Sequence, residues 1–242
     1  VELGIDLLIV SPNEAAPLTP IIESIYDQGI PVIILDRRIP SNKYTAYIGA
    51  DNQLIGSEGG KYLVRLLQGK GRVLEIYESL RITAFADRHQ GFRSVIEQYP
   101  SLEVDSVKAI AKGEEKYRQM IGSNEYQAVF APTDVAAKFA VDVAKEEGVS
   151  TENSFFIGID ALPGEGNGLD LVERGILTAT ILYPTGGDVA ILALVDDVDT
   201  ELNLASYNFI DCLFQQLEKC FIWNGAGCAI LVCFQQFWGA WE

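Results

Sequence analysis

Four apolar residues in a row, Val32, Ile33, Ile34 and Leu35, run straight into Asp36, Arg37 and Arg38. An unbroken apolar run of this length suits a strand covered on both faces, as in a parallel sheet. The charges that follow then stand at the carboxyl end of the strand, where open α/β sheets hold their ligands. A carboxylate beside a guanidinium offers an acceptor and a forked donor, the pair that a polyhydroxylated ligand needs. A surface ion pair capping a strand has the same composition, and this stretch alone does not separate the two readings.

The same phrase recurs along the chain. Asp6–Val10 reads as a buried strand, and Ser11–Pro17 as a loop. Leu18, Ile21, Ile22, Ile25 and Tyr26 repeat at helical spacing, with Thr19 and Pro20 as start signals and Gly29 as the stop. Tyr47–Ala50 reads as a short strand, and Asp51-Asn52 opens a helix with Leu54, Ile55, Tyr62, Leu63, Leu66 and Leu67 as its stripe and Gly69 as its end. Inside it lies GSEGGK (Gly56–Lys61). A phosphate-binding loop is rejected there, because Tyr62 replaces the Ser or Thr that would hold magnesium and the run lies within the helix; the glycines suit close helix packing.

Strand Arg72–Tyr77 and a helix from about Thr83 to Tyr99 follow, with Asp87, Arg88 and His89 in its first turns. His89 is the only histidine and reads as a partly exposed helix residue. Val104–Ala111 is a predicted strand, Glu115–Asn124 a helix and Ala128–Ala131 a strand ending in Pro132, Thr133 and Asp134. Asp134 is expected to cap the next helix, whose apolar face is Val135, Ala136, Phe139, Ala140, Val143 and Ala144, leaving Thr133 free. Phe155–Ile159 is a strand with Asp160 at its end. A helix from about Gly166 to Gly175 leads to strand Thr178–Ile181, closed by Tyr183 and Pro184, and a further helix begins near Gly187. Repeated strand–helix units imply parallel sheets with helices on both faces. The polar ends, Asp36, Arg37, Thr133, Asp160 and Tyr183, with Arg88 from a helix start, are rich in hydrogen-bonding groups and hold no nucleophile–base pair.

Bulk properties narrow the class. The 242 residues suffice for one large domain or two small ones, and 48% hydrophobic with 21% charged residues indicates a packed core. A net charge of −16 argues against work by phosphate neutralisation or by basic membrane patches. VELGIDLLIV lacks the basic region of a signal peptide and begins almost inside a strand, which suggests that the start of the natural chain is absent. Around Val195 the strand–helix grammar breaks. Cys212, Cys220, Cys228 and Cys233 and all three tryptophans lie beyond it; the cysteine spacings do not match paired zinc sites, and no metal is expected. The preferred reading of residues 196–242 is out-of-frame or otherwise non-native sequence, and a membrane anchor is disfavoured because Ala226–Trp241 is short and interrupted by Gln.

In this order, GIDLLIVSPNE, GIPVIILDRRIP, YIGADN, ADRHQGF, AVFAPTD, FFIGIDALP and LTATILYP resemble the type I periplasmic binding proteins, the ribose-binding-protein and lactose-repressor family. DRRIP, IGADN and YPTGGD look closest to the sugar-sensing periplasmic domains of bacterial hybrid two-component sensors. The resemblance implies an α/β fold of two doubly wound parallel-sheet lobes joined by a hinge and closing on a small sugar, with the N-terminal lobe incomplete because the family's first strand-helix-strand is missing. It implies residues 1–50 as a partial N-terminal lobe, 51–183 as the C-terminal lobe and 184–195 as the return, with crossings near Gly49–Asp51 and Tyr183. Carried over by position, Asp36 and Arg37 bind sugar hydroxyls from one lobe, and Arg88 and Asp160 from the other. Thr133 stands where ribose binders have an amide and Tyr183 where they have a glutamine, which counts against ribose itself. Tyr77 and Phe85 are candidate aromatics, with core packing the competing role for Phe85.

The favoured function is non-catalytic sugar binding without a cofactor, read by a transmembrane sensor kinase or an ABC permease, in the periplasm, with no direct nucleic-acid contact. The alternative is the effector-binding core of a repressor, which would be cytoplasmic. A glycosidase built on Asp36 and Asp160 is less favoured: each stands beside an arginine, and a neighbouring guanidinium favours the ionised carboxylate, the wrong state for a general acid.

Overall fold

The computed structural model describes residues 4–109, 115–123, 125–152 and 154–183, and the backbone of 221–225 and 228–234. In chain order the elements are β1 (Leu7–Ser11), α1 (Ala15–Asp27), β2 (Val32–Leu35), β3 (Ala46–Ile48), α2 (Asn52–Leu67), β4 (Gly71–Tyr77), α3 (Thr83–Ile96), β5 (Leu102–Lys108), α4 (Glu115–Gly122), β6 (Ala128–Phe130), α5 (Asp134–Glu146), β7 (Phe155–Asp160), α6 (Gly168–Glu173), β8 (Ala179–Leu182), β9 (Phe221–Gly225) and β10 (Cys228–Phe234). The chain divides into two compact units, one of Val1–Ala50, Ile82–Ala84 and Pro184–Glu242, the other of Asp51–Arg81 and Phe85–Tyr183.

The first unit is a five-stranded sheet in the order β3-β2-β1-β10-β9. β1, β2 and β3 are parallel neighbours, and every residue of β2 is buried, as its unbroken apolar run requires. Beyond Val195 the sequence shows no clear strand–helix alternation. The backbone there forms an antiparallel β9–β10 pair, and β10 runs parallel to β1, with Leu7 opposite Ile230 and Ser11 opposite Phe234. The helix expected near Gly187 lies outside the described residues.

α1 starts at Ala15, ahead of the expected Thr19-Pro20 signal, so Pro20 lies inside it. Pro20 cannot donate to the Ala16 carbonyl one turn back, and beside it the Thr19 hydroxyl donates to Ala15 O at 2.8 Å. Ile22 faces the core while Ile21 is 59% exposed, so the buried stripe is narrower than the apolar residues suggest.

The second unit is a parallel sheet in the order β5-β4-β6-β7-β8. β4 has β5 on one side and β6 on the other, so the winding reverses there and the carboxyl ends of β4 and β6 flank a switch point. One core face joins Leu74, Ile76, Val129 and Phe156 of the strands to Ile121 of α4 and Ala137, Ala140, Val141 and Ala144 of α5. α5 therefore presents a different stripe from the one read in the sequence: Val135 is 62% exposed and Phe139 is also exposed, while Ala137 and Val141 are buried.

The glycines of α2 work as expected. A Cβ at Gly56 would overlap the backbone oxygen of Arg88, one at Gly59 the ring of Phe130, and one at Gly60 would press on Val95 at 3.0 Å. Gly91 faces Gln53 O in the same way. At Gly56, Gly60 and Gly91 the missing side chain lets α2 and α3 approach closely, and at Gly59 it makes room for Phe130 of β6. α2 ends at Leu67 and is capped by Gln68, itself left-handed at φ 53°, one residue ahead of Gly69.

Candidate functional site

In the first unit the site residues follow β1 and β2. Asp36 carries φ 65°, and Arg37 N donates to Leu35 O at 2.7 Å, closing a γ-turn centred on Asp36 in its rarer, strained form. The Tyr47 hydroxyl donates to Asp36 O at 3.0 Å and pins this turn from β3. Arg37 is buried. Its Nε lies 3.6 Å from Asp36 Oδ2, and its Nη1 donates to Asn13 Oδ1 at 2.5 Å and to Asn13 O at 3.2 Å. Asn13 follows β1, so the structure adds it to the pair. Arg38 turns away and lies 5.0 Å from the centroid of the Tyr47 ring.

In the second unit Arg88, 4% exposed, is the centre of a cluster. Its Nε donates to Asn52 Oδ1 at 2.8 Å and its Nη1 to Pro132 O at 2.6 Å. Nη1 lies 3.7 Å from Asp160 Oδ1. The guanidinium carbon is 4.5 Å from the Tyr183 ring centroid and 5.7 Å from that of Phe85. The glycine contact of Gly56 with the Arg88 backbone brings the start of α2 to α3, and this sets Asn52 within reach of Arg88. Thus Arg88, Asp160 and Tyr183 are together, Phe85 is buried beside them, and Asn52 and the carbonyl of Pro132 are partners that the sequence reading did not include.

The capping expectation is corrected. Thr133, not Asp134, caps α5: its hydroxyl accepts from Ala136 N at 3.1 Å. Thr133 is extended (φ −147°, ψ 160°), the backbone a capping residue needs, while Asp134 is already helical and starts α5. Asp134 is buried, and its Oδ2 accepts from Ala161 N at 2.9 Å. Burial pushes its carboxyl above the usual carboxylate range, opposed by bonds from Thr180 and Ala161 and by the charge of Arg88.

His89 reaches away from this cluster. Its Nδ1 lies 2.6 Å from Oε1 of the buried Glu75, whose Oε2 accepts from Ser106 Oγ at 2.8 Å. The histidine thus serves a buried carboxylate of β4. Tyr77, also on β4, has its ring centroid 6.0 Å from that of His89. Among the described residues no group of His, Cys, Asp and Glu could hold a metal ion, and no helix is long and apolar enough to cross a membrane.

Each unit therefore places a carboxylate next to a guanidinium at the carboxyl ends of its parallel strands. Both carboxylates sit on positive-φ backbone, Asp36 at 65° and Asp160 at 128°. Non-glycine residues in this region cluster at ligand sites, where surrounding contacts hold them. The two sets share a chemistry: acceptors and forked donors for neutral hydroxyl groups, with aromatic rings in the second unit.

Comparison with known proteins gives a consistent result. The family model described as "Periplasmic binding protein domain" matches residues 1–196, ending beside Val195. The ribose import binding protein of Bacillus subtilis is 24% identical over 187 residues, covering 75% of this chain and 58% of its own. The galactofuranose-binding protein of Escherichia coli is 27% identical over 176 residues, covering 67% of this chain and 55% of its own. The solved fructose-binding periplasmic domain of a hybrid two-component system is 43% identical with a TM-score of 0.73, covering 81% of this chain and 66% of that one. The chain spans just over half the length of the curated relatives it matches.

Proposed function

The chain belongs to the periplasmic binding protein family, and from that premise we propose that it binds one small sugar in the periplasm and releases it unchanged. Asp36, Arg37 and Asn13 grip hydroxyl groups from the first unit; Arg88, Asp160, Thr133 and Tyr183 do so from the second. The observation that carries this reading is the buried Arg88, held by Asn52 and Pro132 and set against both the Asp160 carboxylate and the Tyr183 ring. A guanidinium fixed in this way is pre-organised to donate to a sugar hydroxyl without losing side-chain entropy on binding. Tyr183 supplies an apolar face for the carbon side of a pyranose or furanose ring.

The 43%-identical relative is a fructose-binding domain, so D-fructose is the first sugar to test, and a transmembrane sensor kinase is the partner we favour over an ABC permease. Ligand energy that differs between open and closed arrangements of two lobes shifts the population toward closure, and a partner reads the closed form. Catalysis is not part of this reading, in which both candidate carboxylates, Asp36 by Arg37 and Asp160 by Arg88, serve as acceptors for sugar hydroxyls.

The test is a thermal-shift screen of the purified chain against D-fructose, D-ribose, D-galactose, L-arabinose and myo-inositol, with reducing-sugar release from fructosides measured alongside. At a hundredfold excess over Kd one sugar should add about 2.7 kcal/mol, on the order of 5–10 °C. A flat response to the whole panel, or turnover of a fructoside, would overturn the proposal.

A further inference from the structure

We propose that Asp134 is a positioning residue for Asp160: without touching ligand, it holds the Asp160–Ala161 backbone in the turned conformation that presents the Asp160 carboxylate to Arg88. This deepens the sugar-binding proposal and rests on its reading of Asp160 as a ligand group. Asp160 and Ala161 carry consecutive positive φ values, 128° and 52°. Neither is glycine, so the step relaxes to negative φ unless something holds it, and relaxation swings the Asp160 side chain to another direction.

What holds it is the carboxylate of Asp134. Oδ2 accepts the Ala161 amide at 2.9 Å, and the same amide lies 3.1 Å from Thr180 Oγ1, whose hydroxyl also bonds Asp134. Tyr183 N donates to Asp160 O at 3.3 Å and closes the far side of the turn. Space for the carboxylate is made by two glycines from separate elements: a Cβ at Gly158 of β7 would overlap Asp134 Oδ1, and one at Gly168 of α6 would overlap Oδ2. A carboxylate that served only the positive end of α5 would work from the surface and would need no such recess. Nor is it the cap, because Thr133 already fills that role. Asp134 is 4% exposed, and its Oδ2 accepts from the backbone amide that directly follows the ligand group.

The experiment uses the full chain labelled with 15N, with Asp134→Ala, Asp134→Asn and Gly158→Ala as variants. Hydrogen exchange of the Ala161 amide reads the backbone, and calorimetric titration with D-fructose, D-ribose and D-galactose reads binding. In the parent chain the Ala161 amide should be protected. Asp134→Ala should speed its exchange at least tenfold and weaken sugar binding at least tenfold, and Asp134→Asn, whose side-chain oxygen can accept the same bond, should stay within about threefold of the parent in both. Gly158→Ala, which displaces the carboxylate from the opposite side, should reproduce Asp134→Ala and serves if that variant does not fold. Unchanged Ala161 exchange in Asp134→Ala and Gly158→Ala overturns the inference, as does equal loss in Asp134→Asn and Asp134→Ala. If the parent binds none of the three sugars while Ala161 exchange still depends on Asp134, the sugar reading fails and the backbone-holding role stands.

Discussion

Arg88 Nη1 lies 3.7 Å from Asp160 Oδ1, a buried guanidinium from the start of a helix against a half-buried carboxylate from the end of a strand. The distance is longer than a direct hydrogen bond, and Nη1 already donates to Pro132 O at 2.6 Å. The pair is thus an ion pair, with the guanidinium fixed by Asn52 and Pro132 rather than by Asp160. Arg88→Lys retains charge but loses the fork, the bond to Asn52 and the guanidinium contact with the Tyr183 ring. It should lower stability by about 2–3 kcal/mol, the cost of losing buried charge-assisted hydrogen bonds, and should abolish the sugar response. Urea denaturation with and without D-fructose checks both; a lysine variant that still responds to sugar would remove Arg88 from the site.

Thr133 and Asp134 stand side by side and do different work. Thr133→Ala should cost about 1 kcal/mol through loss of the bond from Ala136 N, and Thr133→Ser should restore most of it. Chemical denaturation midpoints of the three chains decide the matter. If Thr133→Ala is as stable as the parent, the cap is not where the structure puts it.

Much of this architecture was legible in the residues, and the failures have physical causes. β2 was unmistakable because all four of its residues are buried, and a doubly covered strand writes an unbroken apolar run. Asp36, Arg37 and Asp160 were legible because strand ends are located by where such a run stops. Arg88 was legible as a guanidinium supplied by a helix start, and the family resemblance then gave it a donor role. Asn13 and Asn52 were missed because each is a single amide in a polar setting; only the fold shows that they meet Arg37 and Arg88. The Thr133-Asp134 exchange failed for a sharper reason: both residue types cap helices well, and the choice depends on which of them is extended. On α1 and α5 the hydrophobic residues outnumber the buried positions, so periodicity alone gave stripes that were too wide, with Ile21, Val135 and Phe139 left exposed.

The glycine run of α2 yields a prediction against helix propensity. In an exposed helix Gly→Ala gains roughly 1 kcal/mol. At Gly56 the added Cβ would overlap the backbone oxygen of Arg88, which cannot rotate away. Overpacking of this kind costs about 1–3 kcal/mol or more, so Gly56→Ala should be destabilising despite the propensity gain. It should also weaken sugar binding, because it forces apart the two helices that bring Asn52 to Arg88. Denaturation and titration of this one variant test both effects, and a stabilised Gly56→Ala would show that α2 and α3 do not pack as closely as described.

The pH dependence of Asp134→Asn follows from the burial of that carboxyl. Desolvation raises its pKa above the ordinary 3.8, so the folded chain holds the Asp134 proton more tightly than the unfolded chain does. A group whose folded pKa is raised contributes stability that is fully present below pH 3.8 and is lost as the pH climbs through the folded value. Above that window the parent carries a buried anion with one oxygen, Oδ1, that has no hydrogen-bond partner among the described residues. Asparagine is neutral at every pH and can offer the same acceptor to Ala161 N. Asp134→Asn should therefore be the more stable chain near pH 7, and its advantage should shrink steadily on acidification and vanish once Asp134 is protonated in both states. The measurement is the stability difference between the two chains, by urea denaturation at steps from pH 7 down toward pH 3.5, where shared titrations cancel. A difference that grows on acidification would mean that the bonds from Ala161 and Thr180 outweigh desolvation, and that the ionised carboxylate is the form the fold prefers.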